Sequence, residues 1–305
     1  MALAEPTPES LPSPFLRYFL ATRPPFLSVT LTGGLIGMAT AGGGDPLKVS
    51  LALLGALLIH AGINVLNDVY DARNGTDARN TERLFPFTGG SRFIQNGVLT
   101  ERAMLRLGLF LLACGSLLGL SLVPERPGLL LIGGAGLFLG WAYSAPPWFL
   151  AGRGLGEAAV AAGFGILIPL GMDYVARGSL SWLPVIAGLP YGLLVADVLY
   201  INQFPDRKAD EAAGKRHLVV RLGPLRARYG YGLIALAAYL WLSSFALWGP
   251  LPATALLALL AAPVSFLAAG LLWRHALAPP RLLPAIQLTL AAALAFGLLL
   301  ALGLW

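Results

Sequence analysis

Long apolar stretches dominate the chain and alternate with short polar segments. Nine of them approach the roughly 20 residues that a helix needs to cross a bilayer. They cover approximately residues 25–43, 47–66, 102–122, 127–144, 155–175, 181–201, 229–248, 252–273 and 283–304. Because helices satisfy their own backbone hydrogen bonds in lipid, the pattern predicts an all-α membrane protein of about nine transmembrane helices in a bundle.

Composition supports this prediction and removes several other classes. The 305 residues are 57% hydrophobic and only 12% charged, with a mean hydropathy of +0.72. Soluble domains carry about 25% charged residues, so a soluble protein is excluded. The single cysteine, Cys114, excludes a disulfide framework, and the histidines at 60, 217 and 275 lack the spacing of a zinc motif.

The basic residues predict the orientation. Of 21 Lys and Arg residues, all but Lys48, Arg126 and Arg177 fall on the side that holds the N-terminus. By the positive-inside rule the N-terminus and both acidic loops are cytoplasmic, in a multi-pass protein of the cell (inner) membrane. Topology accounts for the basic pI, so the lipid bilayer is an expected partner and nucleic acid is not.

Two polar patches divide the chain. The first ends the second apolar stretch and the second ends the sixth, four stretches later. This spacing predicts one polytopic domain over residues 16–305, with a pseudo-repeat of spans 1–4 and 5–8 and a ninth helix appended. Residues 1–15 are acidic and Pro-rich, and we expect a disordered cytoplasmic tail there.

The first patch continues a polar stripe along its helix. At 100° per residue His60, Asn64, Asn67 and Asp71 fall within a sector of about 60°, with Asp68 at its edge. Polar groups within a membrane span must face the bundle interior and default to a functional role. The sequence therefore predicts that this helix presents one polar face to an internal site.

The second patch contains Asn202, Asp206 and Asp210, and Pro205 predicts a break in its helix. Carboxylate and amide oxygens suit a hard cation, and Mg²⁺ characteristically binds one or two carboxylates plus substrate phosphates. Two facing patches could clamp a diphosphate, with nearby cations absorbing the remaining charge. Arg23, Arg73, Arg92, Arg153, Lys215 and Arg216 are the candidate phosphate contacts. The Gly turn at residues 88–91 could offer backbone N–H groups to an anion.

These motifs resemble those of the UbiA superfamily of intramembrane aromatic prenyltransferases. The likeness is carried by Asn67, Asp68, Asp71 and Asp77, by Asn202, Asp206 and Asp210, and by residues 86–91, 143–147, 153–157 and 214–223. Within the superfamily the chain is most similar to the MenA-type branch, whose members use 1,4-dihydroxy-2-naphthoate. One departure is His217, where that branch usually has Thr.

The resemblance implies a helical bundle around a central cavity, capped on the cytoplasmic side by the two Asp-motif loops. It implies two Mg²⁺ ions bridging a polyprenyl diphosphate, with the seven Asn and Asp residues of the two motifs as ligands. Tyr143 and Ser144 match a motif near the reacting centre, and Arg23 and Lys215 match phosphate-side positions. It also implies transfer of the polyprenyl group to an aromatic acceptor with loss of CO₂, in menaquinone biosynthesis.

Some alternatives remain open at this stage. A branch that uses 4-hydroxybenzoate or another lipid-quinone acceptor differs only in acceptor. A secondary transporter also combines repeats with membrane carboxylates, although its coupling site lies near the midplane. The signature of CDP-alcohol phosphotransferases is absent. His60 and Asp197 could each orient or deprotonate the acceptor's hydroxyl, or could simply be buried polar groups.

Overall fold

The computed structural model describes residues 4–305, so residues 1–3 of the expected tail lie outside the described part. Within it there are helices and no strands. The α-helices are α1 Pro14–Ala21, α2 Pro24–Ala41, α3 Pro46–Asn74, α4 Thr76–Arg79, α5 Glu101–Leu122, α6 Leu129–Ser144, α7 Gly156–Ala162, α8 Ile168–Arg177, α9 Leu183–Ala212, α10 Leu218–Leu222, α11 Pro224–Leu247, α12 Ala262–His275 and α13 Leu283–Leu304.

Seven helical segments among residues 4–305 are long and apolar enough to cross a membrane. They are Pro46–Asn74, Glu101–Leu122, Gly156–Arg177, Leu183–Ala212, Pro224–Leu247, Ala253–His275 and Leu283–Leu304. Two of these combine helix types: a π-helical turn joins α7 to α8, and a 3₁₀ segment precedes α12. The chain is thus a multi-pass membrane protein. The other two predicted spans correspond to α2 and to α6, which has 16 residues.

Local sequence signals set the bounds of α3, which carries the first motif. Asp45 caps its start by accepting hydrogen bonds from the N–H groups of Leu47 (2.9 Å) and Lys48 (3.3 Å), and Pro46 occupies the first turn. The helix ends at Asn74 and is capped by Gly75, whose φ of 78° is left-handed and favours glycine. These caps give a helix of 29 residues that carries the polar stripe through the bundle.

Helix α9 carries the second motif and corrects one expectation. Pro205 does not break it, since α9 runs from Leu183 to Ala212 with Pro190 and Pro205 inside it. Its hydrophobic core contacts include α2, α11 and α13, and it has the largest buried share of the seven long segments. Tertiary packing on several sides therefore outweighs the backbone hydrogen bond that proline removes. Asp206 and Asp210 consequently share one helical face.

Residues 4–13, within the described part of the expected tail, make specific contacts with the rest of the chain. Residues 4–13 pack against the loop between α4 and α5 and against α1. Glu5 pairs with Arg83 (Oε1 to Nε, 2.6 Å) and accepts a hydrogen bond from Asn96 Nδ2 at 3.1 Å. Arg17 Nε donates to the Leu11 carbonyl at 2.5 Å. Charge complementarity and side chain to backbone bonds therefore hold this arm, a pairing that composition alone does not reveal.

Candidate functional site

The two acidic motifs meet at one end of the bundle, and Lys215 joins them. Its Nζ lies 2.9 Å from Asp71 Oδ1 in α3 and 3.1 Å from Asp210 Oδ1 in α9. Burial acts to lower the pKa of Lys215, but the two carboxylates outweigh it and raise the pKa above its ordinary value. The ammonium therefore stays charged and offsets the repulsion between the two motifs. His217 Nε2 also lies 3.1 Å from Asp210 Oδ2.

The loop between α4 and α5 bridges the same motifs. Asn80 Nδ2 donates to Asp206 Oδ1 at 2.5 Å, and the Gly89 N–H lies 3.4 Å from Asp206 Oδ2. The Ser91 N–H is 3.3 Å from Asp68 Oδ1. The backbone donors of this Gly turn therefore point at the protein's own carboxylates. Sequence reasoning missed Asn80, because nothing in the local pattern marks its partner 126 residues away.

Asp77 is buried directly beneath this loop. Gly90 has a φ of 74°, and a Cβ added there would lie 2.5 Å from Asp77 Oδ2, so only glycine lets the loop approach so closely. Burial, followed by the charges of Asp71 and Asp68, raises the pKa of Asp77 to about 8. A cation close to Asp77 would therefore stabilise its ionised form.

Arg23 supplies a second, partly buried cation at the first motif. It precedes α2 with a left-handed φ of 57°, and its Nη2 pairs with Asp68 Oδ1. Burial opposes the charge, but Asp68, Asp77 and Asp71 together hold the pKa of Arg23 above its usual value. Arg23 and Lys215 thus each neutralise one part of the acidic cluster.

An apolar cavity of about 370 Å³ opens beneath the acids. Its wall is built mainly from aliphatic residues and glycines. The polar residues that line it are Arg23, His60, Asn64, Asn67, Tyr143 and Asn202. His60, Asn64 and Asn67 belong to the predicted stripe on α3, so its inward orientation is confirmed. The cavity continues the acidic cluster into the membrane-embedded part of the bundle.

The polar residues of this wall are held by hydrogen bonds. Asn67 Nδ2 donates to Ser144 Oγ at 2.9 Å, which joins the first motif to the end of α6. Asn64 Nδ2 donates to the carbonyl of Thr22 at 3.1 Å. The ring of His60 is buried, with Nδ1 2.7 Å from Thr30 Oγ1. The side chains are therefore fixed in place before any ligand enters.

The donor set fits a hard divalent cation. Asp68 Oδ2 and Asn202 Oδ1 are buried without a hydrogen-bond partner among residues 4–305. In that same part of the chain no three His, Cys, Asp or Glu side chains converge into a metal-binding group. Carboxylate and amide oxygens that ligate singly or in pairs match Mg²⁺, which completes its shell with water and substrate phosphates.

Three of the predicted cationic contacts are not brought to the acids. Arg73 pairs at 2.8 Å with Glu101 Oε1 on an exposed surface. Arg153 is exposed and donates to the carbonyl of Pro147 at 2.7 Å. Arg92 is buried but turns to the backbone carbonyl of Asp77 and, at 3.6 Å, to a Glu5 oxygen. Their positive charge is thus not part of the acidic cluster that Lys215 and Arg23 join.

Asp197 also lies apart from this site. It is 1% exposed, neither carboxylate oxygen has a partner among the described residues, and it does not line the cavity. The helical projection of α9 already places it away from the face that carries Asn202 and Asp206. His60 is thus the residue of this pair that reaches the cavity.

The chain is similar in sequence to proteins of one known family. The profile of the UbiA prenyltransferase family matches residues 26–283. A 1,4-dihydroxy-2-naphthoate octaprenyltransferase of Escherichia coli (strain K12) is 31% identical over 93% of each chain. A protein of the same name from Mycobacterium tuberculosis (strain ATCC 25618 / H37Rv) is 32% identical, over 82% of this chain and 86% of its own.

The fold has solved counterparts. The structure of a UbiA homologue from Archaeoglobus fulgidus bound to GPP and Mg²⁺ aligns with a TM-score of 0.62 at 16% identity, covering 93% of this chain and 99% of that chain. The predicted resemblance is therefore confirmed by sequence and by fold. The chain belongs to the UbiA prenyltransferase family.

Proposed function

We propose that the protein transfers a polyprenyl group from polyprenyl diphosphate to 1,4-dihydroxy-2-naphthoate, with decarboxylation, in menaquinone biosynthesis. The observation that carries the proposal is the junction of two acidic motifs, through Lys215, at the mouth of an apolar cavity. Relatives named as naphthoate octaprenyltransferases, and a Synechocystis relative named 2-carboxy-1,4-naphthoquinone phytyltransferase, support the acceptor.

The residues that would hold Mg²⁺ are those of the two motifs. They are Asn67, Asp68, Asp71, Asp77, Asn202, Asp206 and Asp210. Bound Mg²⁺, which we propose as two ions, supplies positive charge against the leaving diphosphate. Asp68 Oδ2 and Asn202 Oδ1 are the oxygens whose burial without a partner best supports this assignment.

Lys215 and Arg23 contribute charge of the protein's own. Each of them lies beside a carboxylate of the first motif, so a diphosphate bound at the motifs would also lie close to both cations. An Arg guanidinium binds phosphate oxygens in a fork, and a Lys ammonium binds them as a point charge. They therefore stabilise the charge that develops on the leaving diphosphate.

The cavity serves the other half of the reaction. The allylic C–O bond breaks and its electron pair leaves with the diphosphate. The apolar wall then excludes water from the resulting cation. The ring carbon that bears the carboxylate forms the new C–C bond. The bond to the carboxylate breaks in turn, its electron pair restores aromaticity, and CO₂ departs. Tyr143 and Asn67 line the polar end of the cavity, where we propose that this step takes place.

The topology belongs to the same proposal. We propose that α2 and α6 also cross the membrane, giving nine spans in one domain with a four-helix pseudo-repeat. The basic asymmetry supports a cytoplasmic N-terminus and a cytoplasmic cap made by the two motif loops, in the cell (inner) membrane. Aromatic acceptor and polyprenyl diphosphate then meet at the cytoplasmic surface, with the isoprenoid in the bilayer.

A single assay tests the acceptor. The purified protein is incubated with Mg²⁺, a polyprenyl diphosphate and 1,4-dihydroxy-2-naphthoate labelled in its carboxylate. We expect labelled CO₂ and an unlabelled prenylated naphthoquinol in equal amounts. Parallel reactions with 4-hydroxybenzoate should be slow. Retention of the label in the product, or preference for 4-hydroxybenzoate, would contradict the naphthoate assignment.

A further inference from the structure

Two glycines of α6 line the cavity without being needed for packing. A Cβ added at Gly133 or at Gly136 would meet no atom within 4 Å. Both residues belong to the cavity wall. Glycine inside a helix costs about 0.5–1 kcal/mol relative to alanine, so these positions carry a cost that no helix contact explains.

Gly140, on the same face of α6, shows the contrast. A Cβ there would lie 2.2 Å from Ile63 Cδ1 in α3, so Gly140 is required for close contact between the two helices. Gly133, Gly136 and Gly140 are spaced i, i+3 and i+7, which places them on one helical face. The face that touches α3 at Gly140 therefore borders open space at Gly136 and Gly133, where the two helices enclose the cavity.

The two open glycines lie at different depths. Tyr143 marks the polar end of α6, next to the Ser144 that bonds Asn67. At 1.5 Å per residue, Gly136 lies about 10 Å and Gly133 about 15 Å from Tyr143, toward the N-terminus of α6. The remaining wall at this depth is apolar apart from His60, with residues such as Ile59 and Ile132. An apolar chain anchored at the acids would pass Gly136 first and Gly133 second.

We propose that Gly136 and Gly133 set the length of isoprenoid that the cavity accepts, by leaving the path beside α3 free of side chains. This inference rests on the proposed function. An isoprenoid fits this stretch better than the acceptor, because the acceptor's oxygens require several hydrogen-bond partners and the wall here offers only His60, which already contacts Thr30. The cavity volume of about 370 Å³ is small for a long chain, so each side chain added to its wall has a large effect.

Three leucine variants test the proposal. Gly136→Leu and Gly133→Leu fill the cavity at the two depths. Gly134→Leu is the matched control, because an added Cβ there also meets nothing, yet Gly134 is exposed and does not line the cavity. Each protein is assayed with geranyl, geranylgeranyl and octaprenyl diphosphate and one acceptor. The readout is the ratio of kcat/KM for each longer donor to that for geranyl diphosphate.

We expect Gly136→Leu to lower the octaprenyl to geranyl ratio roughly ten- to a hundredfold, the size of effect that overpacking a filled site produces. Gly133→Leu should lower the geranylgeranyl to geranyl ratio less than the octaprenyl to geranyl ratio, because Gly133 lies deeper in the cavity. Gly134→Leu should keep the wild-type ratios. Turnover of geranyl diphosphate shows that each variant is folded.

Two results would overturn the inference. One is a wild-type length profile in both Gly136→Leu and Gly133→Leu. The other is an equal loss with all three donors, which would mean that these glycines do not discriminate between chain lengths. Failure of the proposed function is separate and would appear as a wild-type protein that transfers none of the three groups.

Discussion

Replacing Lys215 tests the junction between the two motifs. Lys215→Met keeps much of the side-chain volume but removes the charge that lies within 3.1 Å of carboxylates from both α3 and α9. Lys215 is only 9% exposed. Removing one partner of a buried ion pair costs about 3–5 kcal/mol, because the remaining charge is left without compensation. At a few degrees per kcal/mol, Tm should fall by roughly 6–12 °C.

Lys208→Met is the matched control. Lys208 Nζ lies 2.5 Å from Glu82 Oε1, but its side chain is 66% exposed. Exposed pairs contribute about 0–1 kcal/mol, so Tm should stay within a few degrees of wild type. Thermal unfolding in detergent without added metal measures both variants. Lys215 stays charged in both states, because its pKa lies above its usual value of about 10.4. It also helps to lower the pKa of Asp77, which is about 8, so the deficit of Lys215→Met should grow as the pH rises from about 6 to 9.

Added Mg²⁺ extends this test. A ligand that binds only the folded protein stabilises it by mass action. We expect saturating Mg²⁺ to recover part of the Lys215→Met deficit, because Asp71 and Asp210 regain a counter-charge, whereas the Lys208→Met protein should respond as wild type does. Equal Tm values for the two lysine variants without metal would refute the view that Lys215 holds the motifs together.

Two further predictions concern topology and the N-terminal arm. A cysteine placed at residue 212, which is exposed, should resist an impermeant thiol reagent in intact cells, and its modification would contradict the cytoplasmic cap. Glu5→Gln should lower stability by about 1 kcal/mol, while Glu9→Gln, at an exposed position, should not. Burial opposes ionisation of Glu5, but the hydrogen bond from Arg83 contributes to a net lowering of its pKa. The Glu5→Gln penalty should therefore persist above about pH 4.3 and vanish as the pH falls through the lower folded-state pKa; a penalty that is constant at acid pH would argue against the ion pair.

Periodicity and composition were sufficient for the parts of the site that one helix carries. His60, Asn64 and Asn67 line the cavity because a 3.6-residue repeat places them on one face, and that face can be calculated without a structure. The predicted apolar stretches likewise coincide with helical segments to within a few residues, because length and hydropathy are local properties. The orientation of a helix could be predicted only where a stripe of polar residues marked its inward face, as in α3.

The features that could not be predicted depend on contacts between residues far apart in the chain. The contact of Asn80 with Asp206 and the arm held by Glu5 join distant parts of the chain, and neither residue has a distinctive neighbourhood in the sequence. The expected break at Pro205 was wrong, because a local propensity was outweighed by packing on several sides of α9. Arg73 and Arg153 have the right sign, but Arg73 pairs with Glu101 and Arg153 bonds the carbonyl of Pro147, so neither reaches the acids.

The most direct test of the central claim is a Mg²⁺ titration of prenyl transfer with wild type, Asp71→Ala, Asp206→Ala and the control Glu211→Gln. Glu211 follows Asp210 but is exposed and pairs with Arg207. If both motifs form one diphosphate site, wild type and Glu211→Gln should lose all turnover in EDTA and regain it with Mg²⁺. Each aspartate variant should stay nearly inactive at every Mg²⁺ concentration while remaining folded. Full activity in EDTA, or wild-type turnover by either aspartate variant, would contradict the account.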